Sequence, residues 1–370
     1  MLIDQTRNGR SRVLHFAPSL PPSYSGAGKQ AVALVASLSN DCNFEFHMAC
    51  YMPEGENISD GNVSHVLIRN SLMGKIRQLY EVFRLIQKGG FDVIHVHGYV
   101  AAVLLCAALL RIPTVLKTTL EGVDDLCSIR KKGPIHSLIS RTLDIVISLT
   151  PRMAQLNRSA EKSIIIPNGI QGDKYHFDPT TRDKMRQRFA LSDTRQVFLF
   201  CGGDSCRKGF AELAETWSRI CDFFGREQVA LLIVGRFRAV DSLIKVDGMC
   251  QKFGNIEPIC DVVDDLKPFL DCSDILLFLS SSEGLPNAVL EAAANGNVTY
   301  AKDIPGTYSH LLGDYKSVLF SEVNETNLAN LRVKLEQTDR AATGLIDPGS
   351  IEINRVAGKY LEIYRQLGRV

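Results

Sequence analysis

The stretch from Ile275 to Gly296 constrains this chain more than any other. It opens with the apolar run Ile275-Leu276-Leu277-Phe278-Leu279, which has the length and character of a strand buried on both faces of a parallel sheet. Ser280 to Pro286 reads as a turn. Asn287 is placed to cap a helix whose apolar face is Val289, Leu290, Ala293 and Ala294, and Gly296 stops it. A strand, a tight turn and a helix N-terminus together make an anion site at the carboxyl edge of a sheet.

The same unit recurs along the chain. Strand-like runs at Val13–Ala17, Phe44–Tyr51, Val63–Ile68, Val93–Val96, Thr114–Thr119, Ile145–Leu149 and Ile164–Ile166 alternate with helical segments. After about Asp178 the pattern restarts with Val197–Phe200, Ala230–Val234, Ile256–Ile259, Ile275–Leu279, Val298–Ala301 and Val318–Phe320. Alternation on this scale predicts an α/β protein with parallel sheets covered by helices, and the restart predicts two of them. Pro167-Asn168-Gly169-Ile170 and the polar residues to Arg182 read as the linker. The expected domains are 1–175 and 176–346, followed by a helix in 347–370 with apolar residues at helical spacing.

Two carboxylates frame the turn after Leu279. Glu283 sits in the loop, and Glu291 lies about one helical turn after Asn287. Helical side chains lean toward the N-terminus, so Glu291 can reach back to the mouth that Glu283 lines. A carboxylate there can accept hydrogen bonds from ribose hydroxyls. The amides around Gly284, Leu285, Pro286 and Asn287 can face phosphate or sugar oxygens. The whole phrase, Glu-Gly-x-Pro-Asn-x-x-x-Glu-Ala between a buried strand and Gly-Asn-Val, resembles the glutamate–seven–glutamate signature of the family 4 glycosyltransferases. The resemblance is strongest over roughly 196–306 and continues, more weakly, through the N-terminal half.

That resemblance implies the GT-B fold, with two Rossmann-like domains facing across a cleft and a C-terminal helix that crosses back to the first domain. It implies a retaining transferase that moves a sugar from a nucleotide-sugar donor to an acceptor hydroxyl. The donor would bind mainly to the second domain and the acceptor mainly to the first. In Gly202-Gly203-Asp204-Ser205-Cys206-Arg207-Lys208-Gly209, Lys208 matches the family's phosphate-contacting lysine. The usual arginine position holds Gly203, and Arg207 precedes the lysine instead. Two cations expected at a helix start beside a sheet edge suit a diphosphate. Gly235 falls where the family has a glycine near the base, and the acidic loop through Asp264 and Asp265 resembles one that holds the base. Those acids could equally cap a helix.

In the first half, Gly26-Ala27-Gly28 looks like the family turn that approaches donor phosphates and acceptor; a purely structural turn stays open. It is not a Walker loop, which needs Gly at 23 and Ser or Thr at 30 where this chain has Ser23 and Gln30. His95 and His97 share one strand face, with His97 nearer the end and able to reach the cleft as a ligand, and His95 a packed core residue. Where many family members end the next strand with a histidine, this chain offers Thr118, Thr119 or Glu121.

The formal charge of +1 over 370 residues gives no bulk attraction for nucleic acid or membrane. The basic stretch Ser71–Lys88, with Leu72, Ile76, Leu79, Phe83 and Ile86 expected on one side, fits a helix packed on its own sheet; peripheral contact with a membrane surface stays open. Met1 to Arg12 is polar and reads without an export signal. Ten cysteines without a Cys-x-x-Cys pair fit reduced thiols, so the expected location is cytoplasmic, with the inner membrane face as an alternative. No residue spacing suggests a metal ligand set, and no cofactor is expected: the nucleotide sugar is a substrate. The acceptor is expected to be a glycan or a lipid-linked glycan, as in surface polysaccharide assembly. Two rival readings are a GT-B nucleotide-sugar epimerase and a catalytically silent nucleotide-sugar-binding partner, the latter favoured by the missing arginine at 203 and the missing histidine near Thr119.

Overall fold

The computed structural model describes residues 9–20, 26–52, 66–67, 72–158, 163–261, 263, 265–304, 317–338 and 351–368. The chain divides into Met1–Gly169 with Gly349–Val370, and Ile170–Pro348. Residues 170–175, expected with the first domain, belong to the second unit, and the stretch expected to be linker contains a helix, Pro179–Arg188.

The first unit holds β1 (Ser11–Ala17), β2 (Phe44–Met52), β3 (Val66–Leu67), β4 (Val93–His97), β5 (Thr114–Lys117), β6 (Ile145–Ser148) and β7 (Ser163–Ile165). They form one parallel sheet in the order β3-β2-β1-β4-β5-β6-β7. Its helices are α1 (Gly26–Leu38), α2 (Leu72–Gly89), α3 (Ala101–Leu110), α4 (Leu126–Lys131), α5 (Pro134–Arg141) and α6 (Pro151–Leu156). The register pairs Val13 with Val93 and His15 with His95, so residues of like parity share a face. One face buries Val13, Val93, Val115, Ile145 and Ile147 under α1 and the C-terminal helix; the other buries Leu14, Phe16, Ile94, Val96 and Leu116. Strands apolar on both faces are what a parallel sheet covered on both sides requires.

The second unit holds α7 (Pro179–Arg188), β8 (Gln196–Cys201), α8 (Leu213–Phe224), β9 (Val229–Val234), α9 (Val240–Phe253), β10 (Ile256–Ile259), α10 (Lys267–Cys272), β11 (Ile275–Phe278), α11 (Asn287–Ala294), β12 (Val298–Lys302), β13 (Ser317–Phe320) and α12 (Glu325–Glu336). The strand order is β10-β9-β8-β11-β12-β13, all parallel. Trp217 on α8 is fully buried against Phe198 at an edge-to-face ring distance of 5.5 Å, anchoring that helix to the sheet. The final helix, α13 (Ile353–Gly368), buries Val356, Ala357, Tyr360, Ile363 and Tyr364 in the first unit's core.

In each sheet the chain reverses direction of winding once, between β1 and β4 and between β8 and β11. Loops leaving the carboxyl ends of such strand pairs splay apart and leave a crevice for ligands. The loops after β8 and β11 are those that carry Arg207, Lys208 and Glu283.

Candidate active site

Glycines let the second unit's loops close on one another. Gly203 has φ +58°, and a Cβ there would lie 2.2 Å from the Arg236 carbonyl oxygen; Gly235, at φ +144°, packs just as closely on Gly203. No side chain fits at 203, which is the physical reason that this chain has no arginine there. Asp204 accepts hydrogen bonds from the amides of Arg238 (2.7 Å) and Ala239 (2.9 Å), fixing the β8 and β9 loops together.

The turn that follows is Cys206–Lys208, a single 3-10 turn ended by Gly209 in the left-handed conformation. The sequence reading put the two cations at a helix start; α8 begins only at Leu213. What positions them is the β11 loop. A Cβ on Gly209 would strike Leu279 at 2.4 Å, so only glycine lets the turn approach. The Ser281 amide donates to the Arg207 carbonyl at 2.9 Å, and Arg207 Nη1 donates to the Ser282 carbonyl at 2.8 Å.

This stitching brings Arg207 and Lys208 onto Glu283. Lys208 Nζ lies 2.6 Å and Arg207 Nη1 2.7 Å from Glu283 Oε1, and Ser280 Oγ donates to the same oxygen at 2.6 Å. Lys208 Nζ also sits 5.3 Å from the centre of the Phe278 ring. Glu283 is buried, whereas the two cations are partly open to solvent. Burial pushes the Glu283 carboxyl up, but Lys208, Arg207 and the hydrogen bonds from Lys208 and Ser280 outweigh it and hold the group below its ordinary value. Ionised Glu283 is therefore the form present at neutral pH.

Gly284, Leu285 and Pro286 are buried, with Asn287 and Glu291 half-buried. The sequence places Asn287 at the cap, but Asn287 is the first residue of α11 and Pro286 occupies the cap position, with no side-chain cap bond; proline there fixes the entry to the helix. Glu291 and Glu283 both act electrostatically on Cys201 at the end of β8, as does Lys208. Burial pushes that thiol up to about 12, Lys208 pulls it down, and the two glutamates raise it. Both carboxylates and the lysine thus act on the thiol at the end of β8. Asp265 accepts from the Lys267 amide at 3.1 Å beside α10 and pairs with Lys174 at 3.2 Å, the capping alternative of the sequence reading; Asp264 lies outside the described residues.

In the first unit, Gly26, Ala27 and Gly28 form the start of α1, and a Cβ on Gly28 would lie 2.2 Å from the Ser19 carbonyl oxygen. The helix start therefore packs against the chain leaving β1, while residues 21–25 of the glycine-rich turn lie outside the described residues. Thr118 is buried, donating to the Ile147 carbonyl (3.0 Å) and accepting from Asn157 (3.0 Å). The Thr119 amide and hydroxyl both donate to Asp124, which also accepts from the Leu120 amide. Glu121 pairs with Arg152 at 2.7 Å. Thr118, Thr119 and Glu121 are thus each engaged within the protein, Thr119 in a loop built on Asp124.

His97 was expected to extend toward the open end of its strand. It is instead fully buried, with Nε2 3.1 Å from His15 Nδ1 and its ring stacked on His95 at 4.1 Å. His95 is held by the Tyr364 hydroxyl at 2.6 Å. His95 lies against α13, its ring stacked on Tyr360 at 5.2 Å, and His97 packs on His95 and His15. Burial drives all three rings well below their ordinary pKa, His15 to about 3, with Lys117 adding in the same direction. Burial also lowers Lys117 to about 7. The donor nitrogens of His15, His95 and His97 lie within 4.8 Å of one another, close enough to share a cation. Sequence spacing missed this trio because His15 stands on a different strand. However, His95 and His97 lie nearly parallel, 26° apart, so their in-plane lone pairs run side by side rather than converging.

Residues 195–336 match the family model described as "Glycosyl transferases group 1". The chain is 26% identical over 255 residues to TuaC of Bacillus subtilis (strain 168), a protein named for teichuronic acid biosynthesis; the match covers 66% of this chain and 61% of TuaC, less than two thirds of that relative. It is 22% identical over 275 residues, 70% of each chain, to the Escherichia coli UDP-Gal:alpha-D-GlcNAc-diphosphoundecaprenol alpha-1,3-galactosyltransferase. Among solved structures, Anabaena HepE in complex with UDP is similar with a TM-score of 0.72 at 16% identity, covering 96% of this chain and 100% of that one. Sucrose-phosphate synthase from Thermosynechococcus elongatus gives 0.73 at 15%, covering 97% and 99%. The fold is GT-B.

Proposed function

We propose that this chain is a retaining glycosyltransferase, moving a sugar from a nucleotide-sugar donor to an acceptor hydroxyl. The observation that carries the reading is the convergence of Lys208, Arg207 and Glu283 at the strand pair β8–β11, with Glu291 on the same edge. Two cations at a sheet edge suit the donor diphosphate, Glu291 the ribose and Glu283 the sugar hydroxyls. In the reaction, the bond from the anomeric carbon to the diphosphate oxygen breaks and a bond to the acceptor oxygen forms on the same face. The acceptor proton passes to a donor phosphate oxygen, and Lys208 and Arg207 stabilise the charge that grows on the leaving diphosphate. These cations supply the charge neutralisation, so the reaction is read as metal-independent.

The named roles of TuaC and of the E. coli transferase favour a glycan or undecaprenol-linked acceptor in surface polysaccharide assembly. A membrane-borne acceptor fits a second feature. The sequences of α2 to α5 carry Lys75, Arg77, Arg84, Lys88, Arg130, Lys131 and Arg141 against the single acid Glu81, within a chain of net charge +1. Ile76, Leu79 and Tyr80 of α2, Leu109 of α3 and Ile135 and Leu138 of α5 are exposed. Of the α2 residues expected on the packed side, Ile86 is buried and Phe83 packs against the core, but Ile76 and Leu79 are exposed and Val82 is buried in their place. Basic residues around exposed apolar ones suit an anionic membrane surface. No helix among the described residues is long and apolar enough to cross a membrane. The contact would thus be peripheral, at the cytoplasmic face.

A thermal-stabilisation screen of nucleotide sugars tests the donor reading, since a ligand at a hundredfold over its dissociation constant adds about 2.7 kcal/mol. No shift with any uridine, guanosine or thymidine diphosphate sugar contradicts it.

A further inference from the structure

In the structure the two cations already have an anion. Glu283 Oε1 receives Lys208 Nζ at 2.6 Å, Arg207 Nη1 at 2.7 Å and Ser280 Oγ at 2.6 Å. Ser280 is fully buried, and its hydroxyl also contacts the Arg207 carbonyl at 3.1 Å. The Ser280 proton on Glu283 and the Ser281 amide on the Arg207 carbonyl, at 2.9 Å, together hold the carboxylate beside the turn that bears both cations. A phosphate oxygen recruiting the same N–H donors would have to take the place of that carboxylate oxygen or share it.

We propose that Glu283 is a resident counter-ion, locked by Ser280, which holds Lys208 and Arg207 in register when the site is empty and yields them to the diphosphate. The inference rests on the donor reading given above. An arriving nucleotide sugar brings sugar hydroxyls that can donate to the Glu283 carboxylate, so the exchange is compensated. A nucleoside diphosphate without sugar brings no such partner. It must either displace Glu283 from its cations or bind beside a like charge, both of which weaken it. Glu283 thereby acts against the leaving product and favours its release. Ser280 is a positioning residue: it acts through Glu283, keeping one oxygen between the two cations and the carboxylate ready for the sugar.

Consequently, removing the Glu283 charge should tighten the binding of sugar-free diphosphates, whereas a residue that served only to contact sugar would leave that binding unchanged. The experiment is calorimetric titration of UDP and of inorganic pyrophosphate into the full chain as wild type, Glu283→Gln, Ser280→Ala and Lys208→Ala. Glutamine keeps the shape and an oxygen acceptor, so the fold is retained, and Ser280→Ala is a second route that leaves all three charges in place. The expected result is UDP binding tighter by about tenfold or more in Glu283→Gln, the scale of one charge-assisted hydrogen bond no longer displaced, with a smaller gain in Ser280→Ala. Pyrophosphate should follow the same order, because the effect belongs to the diphosphate and not to the base. Equal or weaker binding in Glu283→Gln, with Lys208→Ala still impaired, overturns the counter-ion role and leaves the donor reading standing. Unchanged binding in Lys208→Ala overturns the donor reading itself, and the counter-ion role with it.

Discussion

Replacing Lys208 with alanine separates a residue that drives transfer from one that merely holds the donor. The structure sets the scale of the side effects. Glu283 would keep Arg207 Nη1 at 2.7 Å and Ser280 Oγ at 2.6 Å, so its carboxylate is not stranded. The cost to the fold should stay near that of one hydrogen bond to a charged group, about 1.5 kcal/mol. The effect on transfer should be larger. The donor already carries diphosphate charge in the ground state, so some affinity is lost. More charge gathers on the leaving oxygen as the sugar departs, and an ammonium aimed there gains strength in the transition state. Removing such a donor typically costs about 2.7–4 kcal/mol, or roughly a hundred- to a thousandfold in turnover. The assay pairs donor affinity by calorimetry with single-turnover transfer, in wild type and Lys208→Ala. We expect kcat to fall by more than the donor Kd rises. Equal changes in both would refute the argument and make Lys208 a binding residue only.

Three further outcomes follow from the same structure. Glu291→Ala should weaken nucleotide binding by roughly 1.5–3 kcal/mol if hydrogen bonds from ribose hydroxyls are lost; unchanged affinity in the folded variant would remove that assignment. Transfer should survive strong chelation, because Arg207 and Lys208 supply the positive charge; activity abolished by EDTA and restored by Mg²⁺ or Mn²⁺ would show the diphosphate site to be misread. Finally, stability should fall in acid. Folded His15 titrates at about 3 and the unfolded ring near 6.5, so between these values the unfolded chain binds more protons and stability rises with pH. The contribution is complete above about 6.5 and is lost toward 3; His95 and His97 act in the same sense, and Lys117 does so between about 7 and 10.5. Each ring adds a slope of up to about 1.4 kcal/mol per pH unit. Denaturant titrations of wild type and His15→Leu between pH 4 and 7 should therefore show a shallower slope in the variant, and identical slopes would contradict the buried-cluster account.

Much of this architecture was legible in the sequence because parallel strands covered on both sides leave long apolar runs. Ile275–Phe278 and Val229–Val234 are such runs, and both are strands of the second unit. The turn residues stood out for a different reason: Glu283, Gly284, Pro286, Asn287 and Glu291 together resemble the glutamate–seven–glutamate signature. The illegible parts depend on contacts between distant segments. Ser280 looks like any turn serine until the Arg207 turn is laid against it by the close approach of Gly209 to Leu279. Gly203 reads as a missing arginine until the Arg236 backbone is seen to fill the space. His15 and His97 are 82 residues apart and meet only because β1 pairs with β4. A signal existed there: three strands of one sheet carrying His15, His95, His97 and Lys117 at like parity imply one polar layer. On α2, helical spacing placed Ile86 on the packed side but could not show that Val82 packs while Ile76 remains exposed, since the apolar residues wrap around more than one face.

The central claim is sugar transfer, and following the label of a donor tests it most directly. Wild-type protein would be incubated with nucleotide sugars labelled in the sugar, with and without polyprenol-diphosphate-linked glycans as acceptors, and both the nucleoside diphosphate and the labelled glycan quantified. The account predicts labelled glycan and nucleoside diphosphate in equal amounts, dependent on the acceptor, with the donor's anomeric configuration kept in the new bond. Donor that binds without any turnover would contradict it in favour of a silent binding partner, and nucleoside diphosphate released equally without acceptor would contradict it in favour of epimerase-type chemistry.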